Sequence, residues 1–319
     1  MSGPRRSPAS VVARLPDART AAGLAFDVRP LVREQAAAAA ALITTAAERD
    51  GTASAWSSPE HAVVEAAALV AGEPEGAVGV FSDGVLAGVG WARLRGEAAT
   101  LGPFAVRDRG AGAGGVLLDA LLARADEWGA LAVRAHLPAT ATAALGLLAA
   151  RGFVVVDTTA SIERAANAGA SRLDAARGLE VAAVRAAELP ELAALDERVT
   201  GLSREEDLRR SVAIVARRRG AMVGYLGAHG AHLGPALALD AADLAVLIAR
   251  ALAGAGSGAG VAVSSTETVR ARVSLTAPGA LLAALALGFR VTASGLVLSR
   301  GPGQPIRAAQ LYATRPEVV

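Results

Sequence analysis

The sequence predicts an α/β chain built on a mixed sheet, with one plan carried out twice in succession. Three observations lead there. The elements read as a strand, two helices, three strands, a helix, a strand, a helix and two strands, and a similar order starts again at Leu179. A Gly-rich turn, Arg109-Gly110-Ala111-Gly112-Ala113-Gly114-Gly115, joins an apolar strand to a helix. Leu101-Gly102-Pro103 recurs at Leu233-Gly234-Pro235 and Gly152-Phe153 at Gly288-Phe289, offsets of 132 and 136 residues.

Length and composition set the bounds. At 319 residues the chain holds two domains of ordinary size. Hydrophobic residues make up 53% and aromatics only 3%, so the core packs through small side chains. The net charge is +2 although the pI is about 9.8. With no lysine, no cysteine and two tyrosines, almost nothing titrates between histidine and arginine, so the high pI is no sign of a nucleic-acid partner. Lack of cysteine excludes disulfides, zinc–thiolate sites and a cysteine nucleophile, and fits a cytoplasmic protein. The four histidines show no metal-binding spacing, so no metal is expected. Residues 1–24, rich in Arg, Pro, Ser and Ala, read as a disordered tail. The longest apolar run, Ala36 to Ala47, contains threonines and is too short to span a bilayer, so no membrane partner is expected.

In order, Phe26 to Arg29 is a strand closed by Pro30, and Leu31 to Glu48 an Ala-rich helix. A linker carrying Trp56 leads to a second helix, capped by Ser58 with Pro59 in its first turn and running to Val70. Ala77 to Phe81 and Val85 to Leu94 form a hairpin over Ser82-Asp83-Gly84, and Ala98 to Val106 follows after Gly96-Glu97. The Gly-rich turn opens a helix with apolar positions Val116, Leu117, Leu118, Leu121, Leu122 and Ala125. Strand Ala130 to His136, helix Thr140 to Ala150 and two short strands around Val154 to Val156 and Ser161 to Glu163 complete the copy. After a linker over 166–177, the second copy has strand Leu179 to Val184, helices Leu189 to Val199 and Arg204 to Val212, and hairpin Ile214 to Arg217 with Met222 to Ala228. Strand Leu233 to Leu239, helix Ala241 to Ala253, strand Gly260 to Ser264 and helix Ala280 to Leu287 follow, then strands to the end. The expected domains are therefore 25–165 and 178–319.

A strand, a Gly-rich turn and a helix N-terminus in that order form an anion site, because turn N–H groups and the helix dipole converge on one concavity. The spacing lacks the acid on the next strand that a dinucleotide fold needs, and without lysine there is no P-loop. Arg109, Gly112 and Gly114 resemble motif A of the GNAT acyltransferases, Arg/Gln-x-x-Gly-x-Gly/Ala, and the element order and the Gly152-Phe153 pair are also similar to that family. The second half resembles the YitH-type acetyltransferase domain in Leu195-Asp196, Gly201, Arg204, Met222-Val223-Gly224-Tyr225, Leu233-Gly234-Pro235, Ala238, Asp240, Arg300-Gly301 and Gln310-Leu311-Tyr312-Ala313.

The resemblance implies two tandem GNAT domains, the first binding acetyl-CoA with its pyrophosphate on Arg109 to Gly115. Backbone groups of Phe104, Ala105 and Val106 would meet the thioester and pantetheine. It also implies acyl transfer to a primary amine of a small molecule by direct attack in a ternary complex, by a monomer with pseudo-dimeric halves or a homodimer. After Pro235 the second half reads Ala-Leu-Ala-Leu-Asp240-Ala-Ala-Asp243, with neither the glycines nor the arginine, so it is expected to shape the acceptor pocket or the domain interface. The family's usual acid, a tyrosine four residues before the Gly of Gly-Phe, is Leu148 here and Ala284 in the second half; the Asn seven residues earlier is Ala141 and Ala277. A different group, water, or a domain that binds acyl-CoA without efficient transfer all stay open, as does a protein or peptide acceptor. His136 titrates in the right range for proton transfer, against a plain strand-end role. Glu97 is a candidate base, against an exposed turn acid. Trp56 and Tyr225 are candidate acceptor contacts, against core and solvated strand-end roles.

Overall fold

The structure, a computed structural model, describes residues 18–19, 25–50, 59–166, 178–229, 231–253, 268–276, 278–302 and 311–313. The first half holds β1 (Ala18–Arg19), β2 (Ala25–Pro30), α1 (Ala36–Arg49), α2 (Pro59–Gly72), β3 (Ala77–Ser82), β4 (Val85–Arg95), β5 (Ala98–Val106), α3 (Ala113–Glu127), β6 (Ala132–Pro138), α4 (Thr142–Ala149) and β7 (Val154–Ala165). The second holds β8 (Leu179–Ala183), α5 (Leu189–Thr200), α6 (Glu205–Ser211), β9 (Val212–Arg218), β10 (Ala221–His229), β11 (His232–Ala238), α7 (Ala241–Ala253), β12 (Thr268–Ser274), α8 (Pro278–Ala286), β13 (Arg290–Arg300) and β14 (Leu311–Ala313).

Two details differ from the sequence reading. The two short strands expected between Val154 and Glu163 are one strand, β7, because it is paired along its length by β13 on one side and β12 over much of the other. The strand expected at Gly260 to Ser264 lies outside the described residues, and a strand that the sequence did not announce, β12, forms over Thr268–Ser274. The expected tail and the 166–177 linker also fall almost entirely outside the described residues.

All strands join one sheet in the order β1-β2-β3-β4-β5-β6-β13-β7-β12-β14-β11-β10-β9-β8, with β12 also touching β11. The middle of this order is an exchange. β13, from the second half, lies between β6 and β7; β7, from the first half, lies between β13 and β12. The registers repeat across the exchange: His136 pairs with Val297 as Arg272 pairs with Ser161, each residue of one pair having its counterpart 136 positions away in the other. Gly295 opposite Thr159 is such a pair by itself, so a pseudo-twofold axis runs through the sheet at that point.

Helices sort by face. Leu117, Leu118 and Leu121 of α3 pack with Val133, Ala135 and Leu298, and Leu244, Leu247 and Ile248 of α7 pack with Ile162, Val269 and Val273. On the other face α1 and α2 cover Phe81, Val89 and Trp91, while α5 and α6 cover Val215, Tyr225 and Leu237. Side chains alternate along a strand. The four central strands therefore turn Ala135, Ala160, Ile162, Ala271 and Val273 into the α3–α7 side and His136, Asp157, Thr159, Ser161, Arg272 and Ser274 to the other. The result is a polar floor at the axis, between the α1–α2 pair and the α5–α6 pair.

Candidate active site

The first half opens beside this floor. β5 and β6 run parallel and pair from Ala98 opposite Ala132 to Leu101 opposite Ala135, and there the pairing stops. Beyond it the two strands part, leaving a gap bordered by the end of β5 and by His136–Pro138 of β6. On its other edge β5 stays paired with β4, with a register shift between Gly90 and Ala92, opposite the cis Gly102–Pro103 bond. The Arg107 N–H donates to the Ala87 carbonyl at 2.8 Å, so by two-residue alternation the N–H of Ala105 also turns to β4. Those of Phe104 and Val106 turn into the gap. Of the three residues expected to offer backbone donors, Ala105 is thus corrected: its polar groups serve the sheet, and its side chain packs among α1, Val89 and Trp91.

The Gly-rich turn ends at Gly112, the N-cap of α3, with φ of 90°; Gly110 has φ of 83°. Both are in the left-handed region that a Cβ disfavours, and both let the chain fold back to present its N–H groups. No side chain caps this helix and its first turn carries no acid, so the N–H groups of Ala113 and Gly114 and the positive end of a 15-residue helix are open to an anion. Arg151, just before Gly152-Phe153, grips Asp119 of α3 at 2.5 and 2.9 Å and reaches the Gly115 carbonyl at 3.4 Å, bringing a cation to the same first turn. Arg109 lies elsewhere than the motif suggested. Its half-exposed guanidinium pairs with Asp50 at the end of α1. Burial pushes the Asp50 carboxyl up, but Arg109 and Arg49 outweigh it and hold the group below the usual carboxylate range. Arg49 in turn donates to the Val106 and Arg107 carbonyls at 3.2 and 2.7 Å, tying the turn to α1. Among the described residues, these donors at a helix N-terminus lead into a gap edged by strand N–H groups, an arrangement that could hold a phosphate-bearing ligand.

The second half has the same bulge and a cis Gly234–Pro235, but its slot is filled. β14 pairs Leu311, Tyr312 and Ala313 with Ala238, Leu237 and Ala236, the counterparts of Val106, Ala105 and Phe104, and touches β12 at Val273. At the N-terminus of α7, Asp240 accepts from the Ala242 N–H at 2.7 Å and the buried Asp243 accepts from Arg218 at 2.5 Å. Protein carboxylates occupy the place an anion would take.

His136 is the first residue of β6 past the last β5 pair. Its ring lies over Gly295, where a Cβ would come within 2.5 Å of Nε2, and Nε2 is 3.1 Å from Thr159 Oγ1. Burial, and then the positive charge of Arg272, hold its pKa well below the ordinary imidazole range. It is therefore neutral at physiological pH. Sequence reasoning singled out His136 but missed Thr159, Gly295 and Arg272, because only the exchange of strands brings them together; the 136-residue offset between His136 and Arg272 was the available signal.

Two candidates are corrected. Glu97 is exposed in the turn before β5, at the opposite end of a nine-residue strand from the gap, roughly 25 Å away. It cannot reach the reacting atoms. Tyr225 is fully buried and donates to Asp196, which Arg204 grips at 2.6 and 2.9 Å. Burial, followed by the Asp196 charge, raises its pKa well above the usual phenol value. The triad locks α5 and α6 onto β10, and this pair of helices with its loop reaches the first half: the Thr200 carbonyl at the end of α5 accepts from Arg134 at 2.7 Å, Leu202 of the loop packs on Ala98 and Ala132, and Asp207 of α6 pairs with Arg95 at 3.1 Å. Trp56 lies outside the described residues. Among those residues there is no group of histidines and acids that could hold a metal ion, and no helix long and apolar enough to cross a membrane.

No family model matches the sequence, and no curated protein matches it. Solved structures do match the fold. A protein of Pyrococcus horikoshii described as a candidate acetyltransferase has a TM-score of 0.68 at 14% identity, covering 88% of this chain and 90% of its own. The GCN5-related N-acetyltransferase from Sphaerobacter thermophilus has a TM-score of 0.65 at 18% identity over 88% of this chain and 98% of that one. A tandem GNAT protein from the clavulanic acid biosynthesis pathway has a TM-score of 0.59 at 15% identity over 88% and 100%. This chain therefore shares its fold over most of its length with GCN5-related N-acetyltransferase structures, a tandem GNAT protein among them.

Proposed function

We propose that the protein is an acyltransferase that binds acetyl-CoA in the first half only and passes its acetyl group to a primary amine of a small molecule, by direct attack in a ternary complex. The observation that carries this is the continuity between the uncapped, acid-free N-terminus of α3 and the gap between β5 and β6. When bound, acetyl-CoA supplies a thioester carbon for the amine to attack and a sulfur to leave with the C–S electron pair. In this reading the turn from Gly110 to Gly115 and Arg151 hold phosphate, and the N–H groups of Phe104 and Val106 polarise the carbonyl and orient the pantetheine arm. Neutral His136, at the edge of the gap, takes the proton the amine loses. Leu148, at the position of the family's usual tyrosine, is buried in the core and has no proton to give, so the leaving sulfur is protonated by water or by the histidine. The second half supplies part of the acceptor pocket through β13 and β12, and the protein works in the cytoplasm without a nucleic-acid or membrane partner. A double variant joining Gly112→Glu and Gly114→Glu is expected to abolish CoA binding in calorimetry; unchanged affinity refutes the cofactor assignment. Thiol release from acetyl-CoA with a panel of amines tests transfer. CoA binding without thiol release from any amine or peptide would make the protein an acyl-CoA-binding one instead.

A further inference from the structure

The Gly-rich turn is held at its two ends by the sheet and by its own helix. The Arg107 N–H donates to the Ala87 carbonyl and the Arg107 guanidinium to the Leu86 carbonyl, at 2.8 and 2.7 Å. At the other end the N–H groups of Gly115 and Val116 donate to the Gly112 carbonyl at 3.1 and 3.3 Å. Between these ends Asp108, Arg109 and Gly110 are exposed, and a Cβ on Gly110 would meet no atom within 4 Å. A glycine-rich stretch exposed in this way has a wide choice of backbone shapes, and fixing one of them costs conformational entropy. Two consecutive residues at the end of α1 supply the restraint. Arg49 donates to the Val106 and Arg107 carbonyls at 3.2 and 2.7 Å and to Asp50 at 3.0 Å, and Asp50 pairs with Arg109 inside the turn. Asp50 is the C-cap of a 14-residue helix, at the negative end of its dipole, where a cation is favoured and a carboxylate is not. Burial also works against its charge, yet Arg109 and Arg49 keep it ionised. An acid in a place that its own helix disfavours serves the turn and not the helix.

We propose that Arg49 and Asp50 are positioning residues that set the Gly-rich turn in its ligand-holding shape before any ligand arrives. This rests on the reading of the turn as the acetyl-CoA site. The phosphate then meets turn N–H groups that are already aimed, so the cost of ordering the turn falls on folding and not on binding. A simple charge argument gives the opposite sign. Asp50 brings a carboxylate to a turn that takes an anion, so by Coulomb repulsion alone its removal should tighten binding by a few-fold. As a positioning residue its removal weakens binding, because affinity falls in proportion to the fraction of molecules whose turn has the competent shape. The sign of one affinity change therefore separates the two.

The test measures CoA affinity of the full chain by calorimetry. Asp50→Asn, which keeps the shape of the side chain and removes its charge, and Arg49→Met are each expected to raise Kd by roughly 10-fold, the effect of leaving about a tenth of the molecules with a competent turn. Ion pairs near the surface add little to stability, so Tm should move by no more than about 2 °C. Asp50→Glu, with its charge kept, should retain most of the affinity, and Asp50→Asn should have little further effect once Arg109→Gln has removed its partner. Tighter or unchanged binding in Asp50→Asn, or the same loss with and without Arg109, overturns the proposal. If wild type does not bind CoA, the cofactor reading has failed, and the restraint is read without ligand by hydrogen exchange. The Gly115 and Val116 amides should then exchange about 10-fold faster in Asp50→Asn than in wild type, and equal rates overturn it.

Discussion

Replacing Gly295 by alanine probes the centre of the molecule with one methyl group. The added Cβ would lie 2.5 Å from His136 Nε2, 2.8 Å from its Cε1 and 2.8 Å from Thr159 Oγ1. Ordinary contact needs about 3.5 Å, so the imidazole must swing by roughly 1 Å and its contact with Thr159 at 3.1 Å is lost. Overpacking of this kind costs roughly 1–3 kcal/mol, seen as a fall in Tm of a few degrees, about 1.5 °C per kcal/mol at this chain length. A base displaced by about 1 Å loses up to ~100-fold in rate, so kcat should drop while KM for acetyl-CoA holds. The decisive measurement is a double-mutant cycle with His136→Ala. With the imidazole removed only Thr159 Oγ1 still crowds the alanine, and it is then free to rotate away, so the penalties in both Tm and kcat should shrink. An equal penalty with and without His136 would refute the packing argument, and an unchanged kcat in Gly295→Ala alone would remove His136 from the chemistry.

Three further outcomes follow from the same geometry. Arg204→Met leaves the fully buried Asp196 with only Tyr225, and should cost roughly 3–5 kcal/mol in denaturant unfolding; Tyr225→Phe removes one hydrogen bond to a charged group and should cost about 1.5–3 kcal/mol, with no change in KM for the acceptor, whereas a selective KM change would restore Tyr225 to the acceptor site. Because the pKa of His136 is depressed in the folded state, the unfolded chain binds more protons below the ordinary imidazole value of 6.5, so stability is fully present above that pH and falls as pH drops toward the folded value. Urea titrations of wild type and His136→Gln across that range should therefore converge in acid, and parallel curves would contradict the shift. Calorimetry should find one CoA per chain, since β14 and the carboxylates at α7 fill the second slot; two equivalent sites would contradict that.

Much of the fold was legible in the sequence because its signals are local. Apolar periodicity marked α3 and α7, turn residues marked the hairpins β3–β4 and β9–β10, and the glycines before α3 marked its start, where Gly112 is the N-cap. After Pro235 the glycines are absent, and there Asp240 and Asp243 serve their own helix and Arg218. Glu97 and Tyr225 misled for the same reason as each other. A residue type suited to chemistry says nothing of which end of a strand, or which face, it will occupy, and one lies at the far end of β5 while the other faces a buried arginine–aspartate pair.

What the sequence by itself determined is therefore most of the elements, their doubling and the Gly-rich turn before α3, all functions of residues a few positions apart. What only the tertiary structure decided is the centre. Nothing local specifies that β13 enters between β6 and β7, since each strand is apolar on one face and polar on the other and would pair with either half's neighbours. That choice is made by registers summed over four strands, and it alone carries Arg272 and Gly295 from the far end of the chain to His136 and Thr159.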